Sequence, residues 1–211
     1  MRLAGIAIAI GGALVCSACN IVVSDEPMFG DEADAPELRP GIWAGDSEKP
    51  CDFDTSLPLR EWPECANAIA IEPSGGFASI DEESGELERS EMSYQIGDPS
   101  LMELMVEENP FANGDEDAGP LYLYSAYRPV TRDAAGMVIE FRGWFVYCGP
   151  TVEGQGATES PFEGLTMYNG ACFAKDVAAL RNAAAESEKL DVKIGRARWV
   201  RDLTDTDLKS D

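Results

Sequence analysis

The chain is 211 residues long and carries 16 basic against 39 acidic residues, a net charge of −23. Such a field repels phosphate backbones, which excludes nucleic acid as a partner, and the absence of histidine removes the commonest general base and metal ligand. A hydrophobic fraction of 45% is that of a globular protein with a proper core, so wholesale disorder is excluded too.

Residues 1–19 read M-R-L-A-G-I-A-I-A-I-G-G-A-L-V-C-S-A-C: one arginine, an apolar run, then small residues ending on a cysteine. That order is a secretory signal, and its apolar run is shorter than the ~20 residues a membrane-spanning helix needs. Ser17, Ala18 and Cys19 resemble the lipobox of bacterial lipoproteins, with Cys16 standing where a large aliphatic residue is usual. The resemblance implies that residues 1–18 are a signal peptide and that Cys19 becomes the lipidated first residue. It implies a Gram-negative cell envelope, with the membrane reached through the lipid, and Asn20 rather than Asp after the cysteine favours the outer membrane. The alternatives are a soluble secreted or periplasmic protein cleaved near Ala18, a retained N-terminal anchor, and lipidation at Cys16. The chain as a whole is similar to uncharacterised exported envelope lipoproteins.

Residues 19–39 are rich in Asp, Glu, Pro, Gly and Ala, with Met28 and Phe29 as a lone bulky pair, and read as an acidic flexible tether. Residues 40–65 bring Trp43, Phe53, Leu57, Leu59 and Trp62 among prolines that forbid a long helix, which reads as an irregular aromatic segment packed on the core. Residues 66–80 have the pattern of a hairpin, with Pro73, Ser74, Gly75 and Gly76 as its turn. Residues 81–91 read as an exposed acidic turn, 101–106 as a strand and 109–120 as a loop. Residues 121–130 and 137–148 are the clearest strand pair. Period-two alternation in the second puts Met137, Ile139, Phe141, Phe145 and Tyr147 on the core face and Glu140, Arg142 and an exposed-side Trp144 on the other.

Residues 151–164 form a Gly-, Ser- and Pro-rich loop. Residues 173–189 form a helix with Phe173, Val177, Leu180 and Ala184 on one face, and 192–200 alternate as a last strand before a polar tail at 203–211. The expected fold is therefore one α+β domain over 40–202, an antiparallel sheet with one packed C-terminal helix. Charge is unevenly spread: residues 20–174 hold 7 basic and 31 acidic residues, and 175–211 hold 8 of each. Lys193, Arg196, Arg198 and Arg201 are expected to pair with the acidic body.

With Cys16 removed and Cys19 acylated, Cys51, Cys65, Cys148 and Cys172 remain, an even set in an exported chain that reads as two disulfides. Of three connectivities the nearest-neighbour one is preferred, Cys51 with Cys65 and Cys148 with Cys172. A zinc site is the poorer alternative, with no Cys-x-x-Cys in the mature chain and no histidine. Asn113, Asp115, Glu116 and Asp117 lie in a Gly-containing loop, raw material for a calcium site, but the spacing is not that of an EF-hand and a solvated turn is preferred.

No cofactor is expected. Nucleophile triads needing histidine are excluded, and no phosphate loop or dinucleotide fingerprint is present. The expected function is a non-enzymatic binding or structural role in the envelope. Its alternatives are a carboxylate-based hydrolase of the glycosidase type and an acidic binder or inhibitor of a basic envelope protein. Trp43, Trp62, Trp144 and Trp199 keep binding of an envelope polymer in view.

Overall fold

The computed structural model describes residues 20–47, 51–81, 84–106, 119–150, 158–168, 171–190, 192 and 194–208. Twelve strands belong to one sheet: β1 (Val22–Ser24), β2 (Gly41–Gly45), β3 (Ala68–Ile71), β4 (Phe77–Ile80), β5 (Leu87–Ser90), β6 (Met92–Gln95), β7 (Ser100–Val106), β8 (Leu121–Arg132), β9 (Val138–Phe145), β10 (Leu165–Tyr168), β11 (Ala171–Ala174) and β12 (Gly195–Arg201). Among the described residues one α-helix, α1 (Val177–Ser187), packs against them.

Only Glu91 separates β5 from β6, so this bent run pairs with β4 through its first half and with β7 through its second. The pairings then return on themselves through β7, β8, β9, β12, β2, β3 and β4, all antiparallel. A closed antiparallel ring hides every strand edge within it. Its interior is filled by one side chain or more from each wall, among them Trp43, Phe77, Tyr94, Met102, Tyr127 and Phe141. Trp43 lies 5.3 Å and Tyr127 5.6 Å from Phe141, ring centre to ring centre.

Two outer layers cover the ring. Helix α1 lays Leu180, Ala183 and Ala184 over Leu101, Tyr124, Ala126 and Trp144, and its start is capped by Asp176, whose carboxylate accepts the Ala179 amide at 2.7 Å. On the other flank, Leu59 and Trp62 of the segment stapled by Cys51–Cys65 cover Ile42, Ala44, Ala70 and Ala78. Three of these four are alanines, whose small side chains let the segment approach the sheet closely. Disulfides join Cys51 to Cys65 and Cys148 to Cys172, with Cα–Cα distances of 5.7 and 5.9 Å.

Several expectations are corrected. The fold is mostly β, with an eleven-residue helix as a minor part, and the sheet is mixed because β1 runs parallel to β11. Residues 20–39 are built into the fold. Val22 and Val23 are buried in β1, Phe29 is buried under the helix side, and Leu38 is buried in the ring beside Val138. Their apolar residues are few but each finds a slot, which composition averaged over an acidic stretch conceals. The expected tail is likewise docked as far as 208, with Asp207 buried. Trp144 faces away from the ring interior as the alternation requires. The helix covers that face, so its indole is fully buried and its Nε1 donates to the Ala184 carbonyl at 2.9 Å. The helix begins after Asp176, and Phe173 belongs to β11.

Candidate functional site

β9 leaves the ring after Phe145, and β1 takes its place beside β8, with Val23 opposite Leu123 and Ser24 opposite Tyr122. The entering chain is held at once: Asn20 is fully buried, its Nδ2 donates to the Gly149 carbonyl at 2.9 Å, and its own carbonyl accepts the Cys148 amide at 2.6 Å. On its other side β1 lies beside β11, and β11 beside β10, so these three short strands make a wing attached to the ring. The wing is stapled to the exit of β9 by Cys148–Cys172, both of whose residues are fully buried.

Ser24 ends β1 against a buried polar cluster. Glu103, in the middle of β7, accepts the Met28 amide at 2.6 Å, the Phe29 amide at 3.3 Å and the Tyr124 phenol at 3.0 Å, all on Oε2. Ser24 Oγ lies 2.5 Å from the same phenol and donates to the Glu26 carbonyl at 2.6 Å. Burial pushes the Glu103 carboxyl above its ordinary value, against the two amides and the phenol that pull it down. Burial, with the Glu103 charge beside it, raises the Tyr124 phenol as well.

A second cluster lies where residues 34–39 cross one end of the ring, from Tyr94 of β6 to Val138 of β9. Glu37 Oε1 accepts the Tyr127 phenol at 3.0 Å and the Ser100 hydroxyl at 3.2 Å, and its Oε2 accepts from Arg132. Burial and the Glu37 charge raise Tyr127. Next to it Arg39 stacks on Trp199 at 3.8 Å and pairs with Asp133 and Asp202. A third cluster ties the C-terminal segment down: Asp207 accepts from both Arg201 Nη1 and Nη2 at 2.7 Å, from the Leu59 amide and from Thr204.

The chain matches no protein-family model, no curated protein and no solved structure.

The remaining sequence expectations fall as follows. Arg196 pairs with Glu140 at 3.0 Å and Arg201 with Asp207, Arg198 is exposed on β12, and Lys193 lies outside the described residues. Cys19 and the loop holding Asn113, Asp115, Glu116 and Asp117 also lie outside them. Among the described residues, no three Cys, Asp or Glu side chains are placed to hold a metal ion, and no helix is long and apolar enough to cross a membrane. Trp62 is buried against Phe53, ring centres 4.6 Å apart, as packing rather than as an open recognition surface.

Sequence reading passed over Glu103, Glu37 and Asp207. Glu103 had a signal: it is the one charged residue in S-L-M-E-L-M-V, and a lone acid within an apolar strand marks a carboxylate destined for burial. Chemically these acids are occupied in holding segments to the ring. Glu103 fixes residues 24–29, Glu37 fixes the crossing at 34–39, and Asp207 fixes the end of the chain.

Proposed function

We propose that this chain is a lipid-anchored envelope lipoprotein, acylated on Cys19, whose filled ring serves as a non-enzymatic binding or structural module. The observation that carries the non-enzymatic part is the occupation of its buried carboxylates. Glu103 through Oε2, and Asp207 through both oxygens, are engaged by backbone amides, a phenol and an arginine of the protein itself. A glycosidase needs two carboxylates facing a sugar across an open cleft, and these acids face the fold. Two disulfides suit an oxidising compartment such as the periplasm.

The test is the intact mass of the full-length protein extracted from its native membranes, before and after reduction. The reading requires a chain beginning at Cys19 with acyl mass added, and a gain of four hydrogens on reduction. A chain without acyl mass, recovered in the soluble fraction, sinks the anchor. Turnover of an envelope glycan that is abolished by a single Asp or Glu substitution sinks the non-enzymatic role.

A further inference from the structure

We propose that the end of the wing of β10, β11 and β1, where the chain enters at Asn20, rests on the bilayer, with Tyr168 seated among the phospholipid headgroups. This rests on the lipid anchor proposed above and goes beyond it by assigning the face that meets the membrane.

The first reason is reach. Residues 20–39 act as parts of the fold and give no slack between an anchor and the ring. Asn20 is fully buried and hydrogen-bonded to Cys148 and Gly149, and β1 begins two residues later. An extended chain covers at most about 3.6 Å per residue, so an acylated Cys19 lies within a few ångströms of a locked backbone. The surface around Asn20 therefore has to approach the bilayer.

The second reason is what surrounds that entry point. β1 is V-V-S, β10 is L-T-M-Y and β11 is A-C-F-A, so the wing carries no charged side chain in a protein of which 26% is charged. One of its faces packs under α1 through Val22, Leu165 and Cys172. The strand alternation turns Val23, Phe173 and Tyr168 to the other face, where Val23 is buried with Leu121 and Ala171, Phe173 packs on them and Tyr168 stands exposed at the end of β10.

Register brings Tyr168 to the entry point. β1 is parallel to β11 with Val22 beside Cys172, and β10 is antiparallel to β11 with Tyr168 beside Ala171. One step back along β1 and β11 sets Ile21 level with Ala171, and Tyr168 two strands away, roughly 10 Å at the usual strand spacing. Tyr168 is 66% exposed, the most exposed large hydrophobic side chain among the described residues. An aromatic ring with a polar tip is the side chain that favours the headgroup level of a membrane. With so acidic a body, the contact is apolar and interfacial rather than a match to anionic lipid.

The experiment uses the full-length lipidated protein in vesicles of phosphatidylethanolamine and phosphatidylglycerol, part of which carry brominated acyl chains. Tyr168→Trp adds one indole, read by difference from the wild type. Leu57→Trp, on the flank covered by the stapled segment, is the control. The inference requires the emission at 168 to be blue-shifted and quenched by brominated lipid, and that at 57 to be unaffected. A Gly/Ser linker of about ten residues placed between Cys19 and Asn20, with an r.m.s. span of roughly 18 Å, relieves the quenching at 168. Unquenched emission at 168 with the acyl mass present overturns this inference and leaves the anchor standing, as does equal quenching at both positions. Absence of acyl mass overturns both.

Discussion

Tyr124 donates to Glu103 at 3.0 Å on the outer face of the ring, on the same Oε2 that accepts the Met28 and Phe29 amides. Ser24 donates to the Glu26 carbonyl, and its Oγ lies 2.5 Å from the Tyr124 phenol. Burial displaces the Glu103 carboxyl upward, against the three donors that its Oε2 accepts.

Stability then depends on pH with a fixed sign. The folded chain binds a proton on this carboxyl more tightly than the unfolded chain, whose glutamate has an ordinary value near 4.5. The stabilisation is therefore full below that value and is lost as pH rises through the higher folded value. Denaturant unfolding across that range should show Glu103→Gln losing the dependence while costing less than about 1 kcal/mol, since the side-chain amide oxygen still accepts. Glu103→Leu should cost about 2–3 kcal/mol at every pH, because the Met28 and Phe29 amides lose their acceptor. A Gln variant with the same pH slope as the wild type refutes the upward displacement of this carboxyl.

Trp144 carries the helix. Its indole is fully buried and its Nε1 donates to Ala184 within α1. Trp144→Ala should cost about 4 kcal/mol through the cavity left between helix and ring. Trp144→Phe should cost less and leave the Ala184 carbonyl without this donor. Thermal unfolding gives the cost, and amide exchange gives the location: protection should fall first in residues 177–187 for either variant. Uniform loss over the ring instead means that the helix is not separately held by this residue.

How far the sequence led depended on strand length and on how many faces each strand buries. The pair β8 and β9, the hairpin of β3 and β4, the helix and the cysteine pairs were legible because each has either a long period or a turn signal. β1, β10 and β11 were not, since three or four residues contain too little alternation to register. β7 was legible as an apolar strand at 101–106 but without a face, because it buries Leu101 under the helix and Met102 and Leu104 inside the ring. Closure of the ring depends on the bend at Glu91, which no local pattern announces. The acidic stretch at 20–39 was misread for a different reason. A handful of apolar residues, Val22, Val23, Phe29 and Leu38, decide its fate while its acids stay at the surface and dominate its composition.

The two disulfides should respond differently to reduction. Cys148 and Cys172 are both fully buried, whereas Cys51 and Cys65 are half-buried in a segment on the outside of the ring. A mild thiol reductant should therefore open Cys51–Cys65 first, read by alkylation and peptide mapping. Removing either bridge by paired Cys→Ser substitution should cost about 3 kcal/mol by the loop-closure estimate. The loss of Cys148–Cys172 should additionally raise amide exchange in β1 and β11, which it ties to the exit of β9. Simultaneous reduction of both bridges would contradict the difference in access.

Asp207 is the anchor of the C-terminal segment, and its pH dependence is opposite to that of Glu103. Burial alone would raise its carboxyl, but the Arg201 guanidinium, Thr204 and the Leu59 amide outweigh it and hold the group well below the usual carboxylate range. Because the folded value is depressed, the stabilisation is present above the unfolded aspartate value and is lost as pH falls toward the folded one. Arg201 also donates to the Thr55 and Leu57 carbonyls, so the same pair clamps the stapled segment to the ring. Asp207→Asn should cost about 3 kcal/mol, because Arg201 is left part-buried without its counter-charge. The loss should shrink on acidification, since the wild type then surrenders the same interaction. Limited proteolysis supplies the second readout: cleavage should appear within residues 51–66 and after 201 in the variant, at sites protected in the wild type. Unchanged protection at both places would mean that Cys51–Cys65 and the apolar contacts of Leu59 and Trp62 hold this layer without the ion pair.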